Sequence, residues 1–306
     1  MEAPRIPAGV ACQSTSANAY RHLGRLDEAL AAIEEAGEML KHVEFAGETQ
    51  RKGLEFGVLW RRGVILGEAD APNLGRDKEA IASLRDAYSM MEEIARRDRA
   101  ETSSRIRLST AGRELAEILV KTDPAGALAI RKHCLSRLAE VATGRAARTA
   151  EVWHLAGSAE ALRKLGDVAE AERSLAQAFE RLGELGVYPV LQGRLADEAR
   201  FALRTKAEHL AATGRTREAV RTSEEWLHLE APLAEQRTEQ LPLAFRTWSQ
   251  WLRLAEWNRA LGRTGEAEEY YQQAVVLWGI WKAKLPQNQF VAAQSRYFEE
   301  RSAARR

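Results

Sequence analysis

Residues Leu165–Phe179 read LGDVAEAERSLAQAF. A Gly-Asp turn leads to a Glu-Ala pair and then to an apolar helix. The phrase returns as LGRLDEAL from Leu23, LGRDKEAI from Leu74, TGRTREAV from Thr213 and LGRTGEAE from Leu261. A worn copy, TDPAGALAI, places Gly126-Ala127 in the gap. The recurring alanines are 29, 80, 127, 171, 219 and 267, spaced 51, 47, 44, 48 and 48 apart. Each part of the phrase has a local reason. Glycine permits the left-handed residue that ends a helix, and Asp or Thr after it can cap the next helix. The alanine sits where two helices approach closely. The large residue four positions on (Ile33, Leu84, Leu175, Tyr271) fills the space between neighbours. One helix pair cannot bury such a stripe alone, so the units must stack.

The reading extends along the whole chain. Periodicity near 3.6 predicts helices over about 10–23, 27–45, 47–67, 77–97, 100–121, 124–142, 149–165, 168–185, 191–213, 217–229, 239–261 and 265–285. Asp123-Pro124 marks a helix start by cap and first-position proline. Gly186–Pro189 and Pro232 mark connectors. No strand-like alternation of useful length occurs. The expected architecture is all-α: an α-α superhelix of about six antiparallel helix pairs. Residues 1–9 form a loose start, 10–286 the array, and 287–306 a C-terminal capping helix. That last helix presents Phe290, Gln294, Tyr297 and Arg301, flanked by Val291 and Phe298.

Composition narrows the function classes. The 306 residues are 45% hydrophobic, and 45 basic against 44 acidic residues leave a net charge of +1. There is no basic excess to drive phosphate-backbone binding, which argues against nucleic acid as a partner. No apolar run approaches the ~18–20 residues of a membrane span. The N-terminus lacks the basic start and apolar core of a signal peptide. Cys12 and Cys134 suggest no disulfide framework, and a cytoplasmic setting fits.

The first and last units carry a family resemblance. Trp251, Leu254, Ala255, Gly262, Ala267, Tyr271 and Ala274 in the last unit resemble the tetratricopeptide repeat, as do Ala17, Tyr20, Gly24, Ala29, Ile33 and Ala36 in the first. The resemblance implies an α-solenoid that presents a groove to a peptide or a protein face. Its repeats usually recur every ~34 residues. Here the period is 44–51, so the helices must be longer, as in kinesin-light-chain-like versions. Residues 61–142, with GEADAPNLGRDKEAIASLRDAY and DPAGALAIRKHCL, resemble the long-repeat region after the catalytic domain of some bacterial serine/threonine kinases. That likeness implies, as an alternative, a regulatory or sensor module of a signalling protein, with an extracytoplasmic setting only if the chain is a fragment of a membrane-anchored kinase. The kinase motifs themselves are absent.

No chemistry-bearing constellation stands out. The six histidines, from His22 to His228, do not pair at metal-ligand spacing, and no nucleophile elbow or phosphate loop occurs. The expectation is no enzyme, no cofactor and no metal. Binding candidates come from phase instead. Counted back from their turns, Glu160, Glu208 and Glu256 fall at one position of their first helices, 48 apart. First helices line the groove of the resembled family, so a row of acids faces it, edged by Arg163, Lys164, Arg204 and Arg259. Asn18 and Arg21 extend the groove candidates into the first unit. The simpler reading is a solvated ladder of intrahelical pairs, each worth about 0.2–0.5 kcal/mol. Six of eight tryptophans lie in the last two units (Trp226, Trp248, Trp251, Trp257, Trp278, Trp281). They serve inter-helix packing, or else a peptide or self-association surface. The expected partner is a protein or peptide.

Overall fold

A computed structural model of the chain describes residues 8–45, 47–141, 144–190 and 195–303. Among them are thirteen α-helices and no strand. They are α1 (Ala8–His22), α2 (Leu26–Leu40), α3 (Glu48–Gly67), α4 (Asp77–Arg97), α5 (Ser103–Leu119), α6 (Pro124–Ala139) and α7 (Arg145–Lys164). The chain continues with α8 (Val168–Glu184), α9 (Asp197–Ala212), α10 (Thr216–Leu229), α11 (Leu241–Ala260), α12 (Thr264–Lys284) and α13 (Gln289–Ala303). Consecutive helices pack as pairs, and α3, α5, α7 and α9 also touch in series to form an inner layer.

Most boundaries follow the periodicity within a few residues; α2 ends at Leu40 rather than 45, with Lys41 at its C-cap, and two others depart for visible reasons. Helix α7 begins at Arg145, not 149, because Ala147 is already buried in the core. Helix α9 begins at Asp197 rather than 191. The segment before it is held as a loop: Tyr188 meets Phe179 edge-on at 5.4 Å and donates its hydroxyl to Glu225 at 2.6 Å. The expected start at Leu191, and the expected end of α6 at 142, lie outside the described residues, as do residues 1–7.

The turns explain the repetition. Gly24, Gly166, Gly214 and Gly262 have φ of 76°, 87°, 83° and 75°. After each, the next N–H reaches back five residues: Arg25 to Tyr20 at 2.8 Å, Asp167 to Leu162 at 3.0 Å, Arg215 to Leu210 at 2.8 Å, Arg263 to Asn258 at 2.9 Å. This is the Schellman closure, which a left-handed glycine makes at no steric cost. The capping expectation holds only in part. Asp123 and Asp167 accept from Gly126 and Glu170 N–H at 2.8 and 3.1 Å. Thr216 and Thr264 instead open their helices, behind Arg215 and Arg263 at the cap position. Arg25, Arg76 and Arg215 pair forward with Glu28, Glu79 and Glu218. The glutamate of the Glu-Ala pair therefore fixes the turn arginine, at a few tenths of a kcal/mol.

All six phrase alanines are buried. A Cβ on Gly67 would lie 2.8 Å from that of Ala80, which shows how closely α3 and α4 approach. Four positions on, Ile33, Leu84, Leu175 and Tyr271 are buried as expected, whereas the corresponding Arg131 and Ser223 place buried polar groups in the same layer.

The superhelix closes on itself. Leu26 packs in the same apolar cluster as Leu241, Trp248 and Phe290. Asn288 donates its side-chain amide to the Gly24 carbonyl at 2.6 Å. The first turn thus rests on the last helix pair. Helix α13 covers that pair with Phe290, Val291 and Phe298, the last stacked on Trp278 at 4.7 Å. Gln294 is half-buried; the side chains of Tyr297 and Arg301 lie outside the described residues. Trp226, Trp248 and Trp281 are buried, and Trp251, Trp257 and Trp278 are half-buried.

Candidate ligand chamber inside the superhelix

Closure turns the concave side into a chamber of about 110 Å³. Its walls come mainly from the first helices. Arg21 enters from α1, and Glu68–Ala71 from the loop after α3. Arg113, Glu114 and Glu117 come from α5, with Trp153 from α7. Helix α9 supplies Arg200, Phe201 and Arg204, and α11 supplies Phe245, Arg246, Ser249 and Arg253. Trp226 of α10 and Pro242 complete it. Six arginines therefore face four carboxylates and an aromatic wall.

Most of these charges are engaged. Arg21 holds Glu68 at 2.5 Å, and Arg113 holds the buried Glu114. Arg200 reaches Asp197 at 2.5 Å and Glu230 at 3.5 Å. Asp70 pairs with Arg204, and with Arg253 at 3.7 Å, so the α3–α4 loop is tied across the ring to α9 and α11. Asp70 is the one non-glycine residue with positive φ (53°) among the described residues. Such strain persists where surrounding contacts over-determine it, and the two arginines supply those contacts. Arg113 lies over the Trp153 ring at 4.2 Å and Arg204 over Phe201 at 4.9 Å, a favourable cation–π arrangement.

Protonation follows from enclosure. Burial, reinforced by neighbouring Glu114, pushes the Glu117 carboxyl up to about 8. Burial raises Glu68 to about 7 against the pull of Arg21. Burial also works against the Asp70 carboxylate, but Arg204, Arg253 and Lys121 outweigh it and hold its pKa below the usual range. Arg246 is different. Burial and then the neighbouring Arg200 lower its proton affinity, and Glu230, Asp197 and Glu68 offset only part.

Two of the groove candidates, Arg21 and Arg204, line the chamber. Glu208 is brought to them: it lies 3.2 Å from Arg253 and 4.0 Å from Arg204. Glu160 pairs with Lys164 at 3.7 Å, and its field reaches Arg204 and Arg131. Glu256 and Arg163 are half-buried, and Asn18 and Arg259 are exposed. Phase reasoning missed Glu68, Asp70, Arg113, Arg200, Arg246 and Arg253. A signal existed for the last two: Arg246, Ser249 and Arg253 stand at i, i+3 and i+7, one helix face.

No arrangement here suggests covalent chemistry. His154 Nε2 lies 2.8 Å from Ser109 Oγ, but both are buried away from the chamber wall, and burial holds this histidine well below its usual pKa. Among the described residues no group of three or more His, Cys, Asp or Glu could hold a metal ion. No helix among them is long and apolar enough to cross a membrane.

The tetratricopeptide repeat family model matches residues 10–35 and 152–177, the α1–α2 and α7–α8 hairpins. The fold is that of a tetratricopeptide-like solenoid. No curated protein matches the chain's sequence. Solved structures share the tetratricopeptide-like solenoid. A Rap protein complexed with competence and sporulation factor matches at TM-score 0.58 and 13% identity, over 97% of this chain and 76% of that one. The apo form of RapI matches at 0.55 and 11%, over 90% and 99%. The nearly identical TPR-like repeats of a putative kinesin light chain from Podosopora anserina match at 0.50 and 14%, over 76% and 100%. At these identities the likeness concerns the fold.

Proposed function

We propose that the chain is a non-catalytic protein-interaction scaffold that receives a peptide or a protein segment on the inner face of its superhelix. The observation that carries this reading is the chamber, where arginines lying over aromatic rings meet buried carboxylates. Aromatic and arginine side chains are the groups that dominate binding hot spots. A Rap protein of like fold stands in complex with competence and sporulation factor, which supports the same use of the architecture. In this reading Arg21, Arg204, Glu160, Glu208 and Glu256 contact the partner. Asn18, Arg163, Lys164 and Arg259 guide it along the rim. We place the protein in the cytoplasm, where the unpaired Cys12 and Cys134 fit a reducing setting.

Blocking the chamber tests the reading. Ser249→Trp fills it from α11, while Val276→Glu alters an exposed position on α12 (64% exposed). Affinity capture from source cells, quantified by mass spectrometry, should lose its specific partner with the first variant and keep it with the second. Equal capture by both variants, each folded by circular dichroism, refutes binding on the inner face.

A further inference from the structure

The chamber has more hydrogen-bond donors than acceptors. Nε of Arg21, Arg204 and Arg246 and the indole N–H of Trp226 are buried without a hydrogen-bond partner, against one unpartnered acceptor, Glu117 Oε1. All five residues line the same cavity. Buried polar groups are ordinarily satisfied, and each exception calls for an explanation. Arginine and the indole N–H can only donate, so the missing component is an acceptor.

The charge count points the same way. Arg21, Arg113, Arg200, Arg204 and Arg253 each have a carboxylate within ion-pair reach. Among the described residues Arg246 alone of the six lining arginines makes no ion pair, and Arg200 beside it adds like charge. Arg246 is thus the lining arginine whose guanidinium is still open to an anion. Guanidinium binds carboxylate through paired, charge-assisted hydrogen bonds. Phe245, Trp226 and Pro242, which line the same cavity as Arg246, offer an apolar surface for the rest of the ligand. The size is limiting too. Drug-sized ligands occupy ~300–1,000 Å³, whereas about 110 Å³ admits one end group.

We infer that the chamber recognises a single carboxylate bearing a small apolar group, held by the Arg246 guanidinium against the Phe245–Trp226 wall. This deepens the scaffold reading and rests on the chamber being its ligand site. Two sources share the chemistry: the free C-terminus of a peptide with an apolar last residue, and a free aryl-alkyl acid.

The test compares acids with their amides by calorimetry and thermal shift at matched ionic strength. The probes are 3-phenylpropionate and 3-phenylpropanamide, then the dipeptide Gly-Phe and Gly-Phe-amide, with inorganic phosphate as an anion control. At least one acid should bind the full chain about tenfold more tightly than its amide, a preference worth about 1.4 kcal/mol. Gly-Phe among the binders identifies a chain terminus; 3-phenylpropionate alone identifies a free acid. Arg246→Gln should abolish the preference and leave the unliganded protein about as stable as wild type, because Arg246 makes no ion pair among the described residues and Arg200 adds like charge beside it. Arg246→Lys should keep part of it. Acid and amide binding alike, neither acid binding at millimolar concentration, phosphate binding as well as the acids, or Arg246→Gln retaining the preference overturns the inference. If Ser249→Trp still blocks partner capture in that event, the scaffold reading survives without it.

Discussion

Gly24 is the position where a one-carbon change discriminates an open solenoid from a closed one. Its φ of 76° lies in the left-handed region, where alanine costs about 1–2 kcal/mol. A Cβ there also falls 2.6 Å from Leu241 Cδ2 and 2.7 Å from Leu285 Cδ1. Those atoms belong to the far end of the array, and overpacking of this kind costs about 1–3 kcal/mol. G24A should therefore destabilise by about 2–5 kcal/mol. Gly166 supplies the control. Its turn has the same geometry, with φ of 87°, yet a Cβ there meets nothing within 4 Å. G166A should cost only the backbone term, about 1–2 kcal/mol. The difference between the two measures the seam. Urea unfolding followed by tryptophan fluorescence gives the energies, and small-angle scattering gives the dimensions. G24A should expand the particle and G166A should not. N288A removes the side-chain hydrogen bond to the Gly24 carbonyl and the one that Asn288 Oδ1 accepts from Val291 N–H, each worth about 1 kcal/mol; the first part should be less than additive with G24A because both act on one contact. Equal destabilisation by G24A and G166A, with unchanged dimensions, refutes the closure argument.

Two further outcomes follow from the chamber charges. Glu117 has a folded pKa of about 8, above its unfolded value, so the folded protein holds the extra proton and stability falls as pH rises from about 4.5 to about 8; E117Q should flatten that slope and be more stable than wild type at the alkaline end, by urea midpoints across the range. D70A removes the shared partner of Arg204 and Arg253; because the Asp70 side chain is 45% exposed, the loss should be about 1 kcal/mol, read from the same midpoints, and salt should shrink it.

The fold was legible because its determinants are local. A left-handed glycine, an alanine at a helix crossing and a 3.6 period can each be read within one unit. The six alanines and the thirteen helices follow from them. Closure was not legible. It accumulates from small rotations between units, and no single residue encodes it. The site was half legible for the same reason. Arg21, Arg204 and Glu208 were found because turn phase places them on inner helices. Glu68 and Asp70 sit in a loop that read only as a break, and they reach the chamber because the array curls. Arg246 was missed because an arginine on a helix ordinarily reads as solvated. Arg131 was missed likewise, although it is fully buried where three other units carry Ile or Leu.

The contact between Gly24 and the last helix pair also bears on how such a chain can change over generations. An open solenoid can gain or lose a unit at little penalty, since each repeat meets only its neighbours. Here the first turn and the segment around Asn288 must arrive at the same place. Six pairs complete the circuit; duplication or deletion of one would leave both ends without a seat. The number of repeats is thereby fixed by geometry, and variation is channelled into the inner side chains.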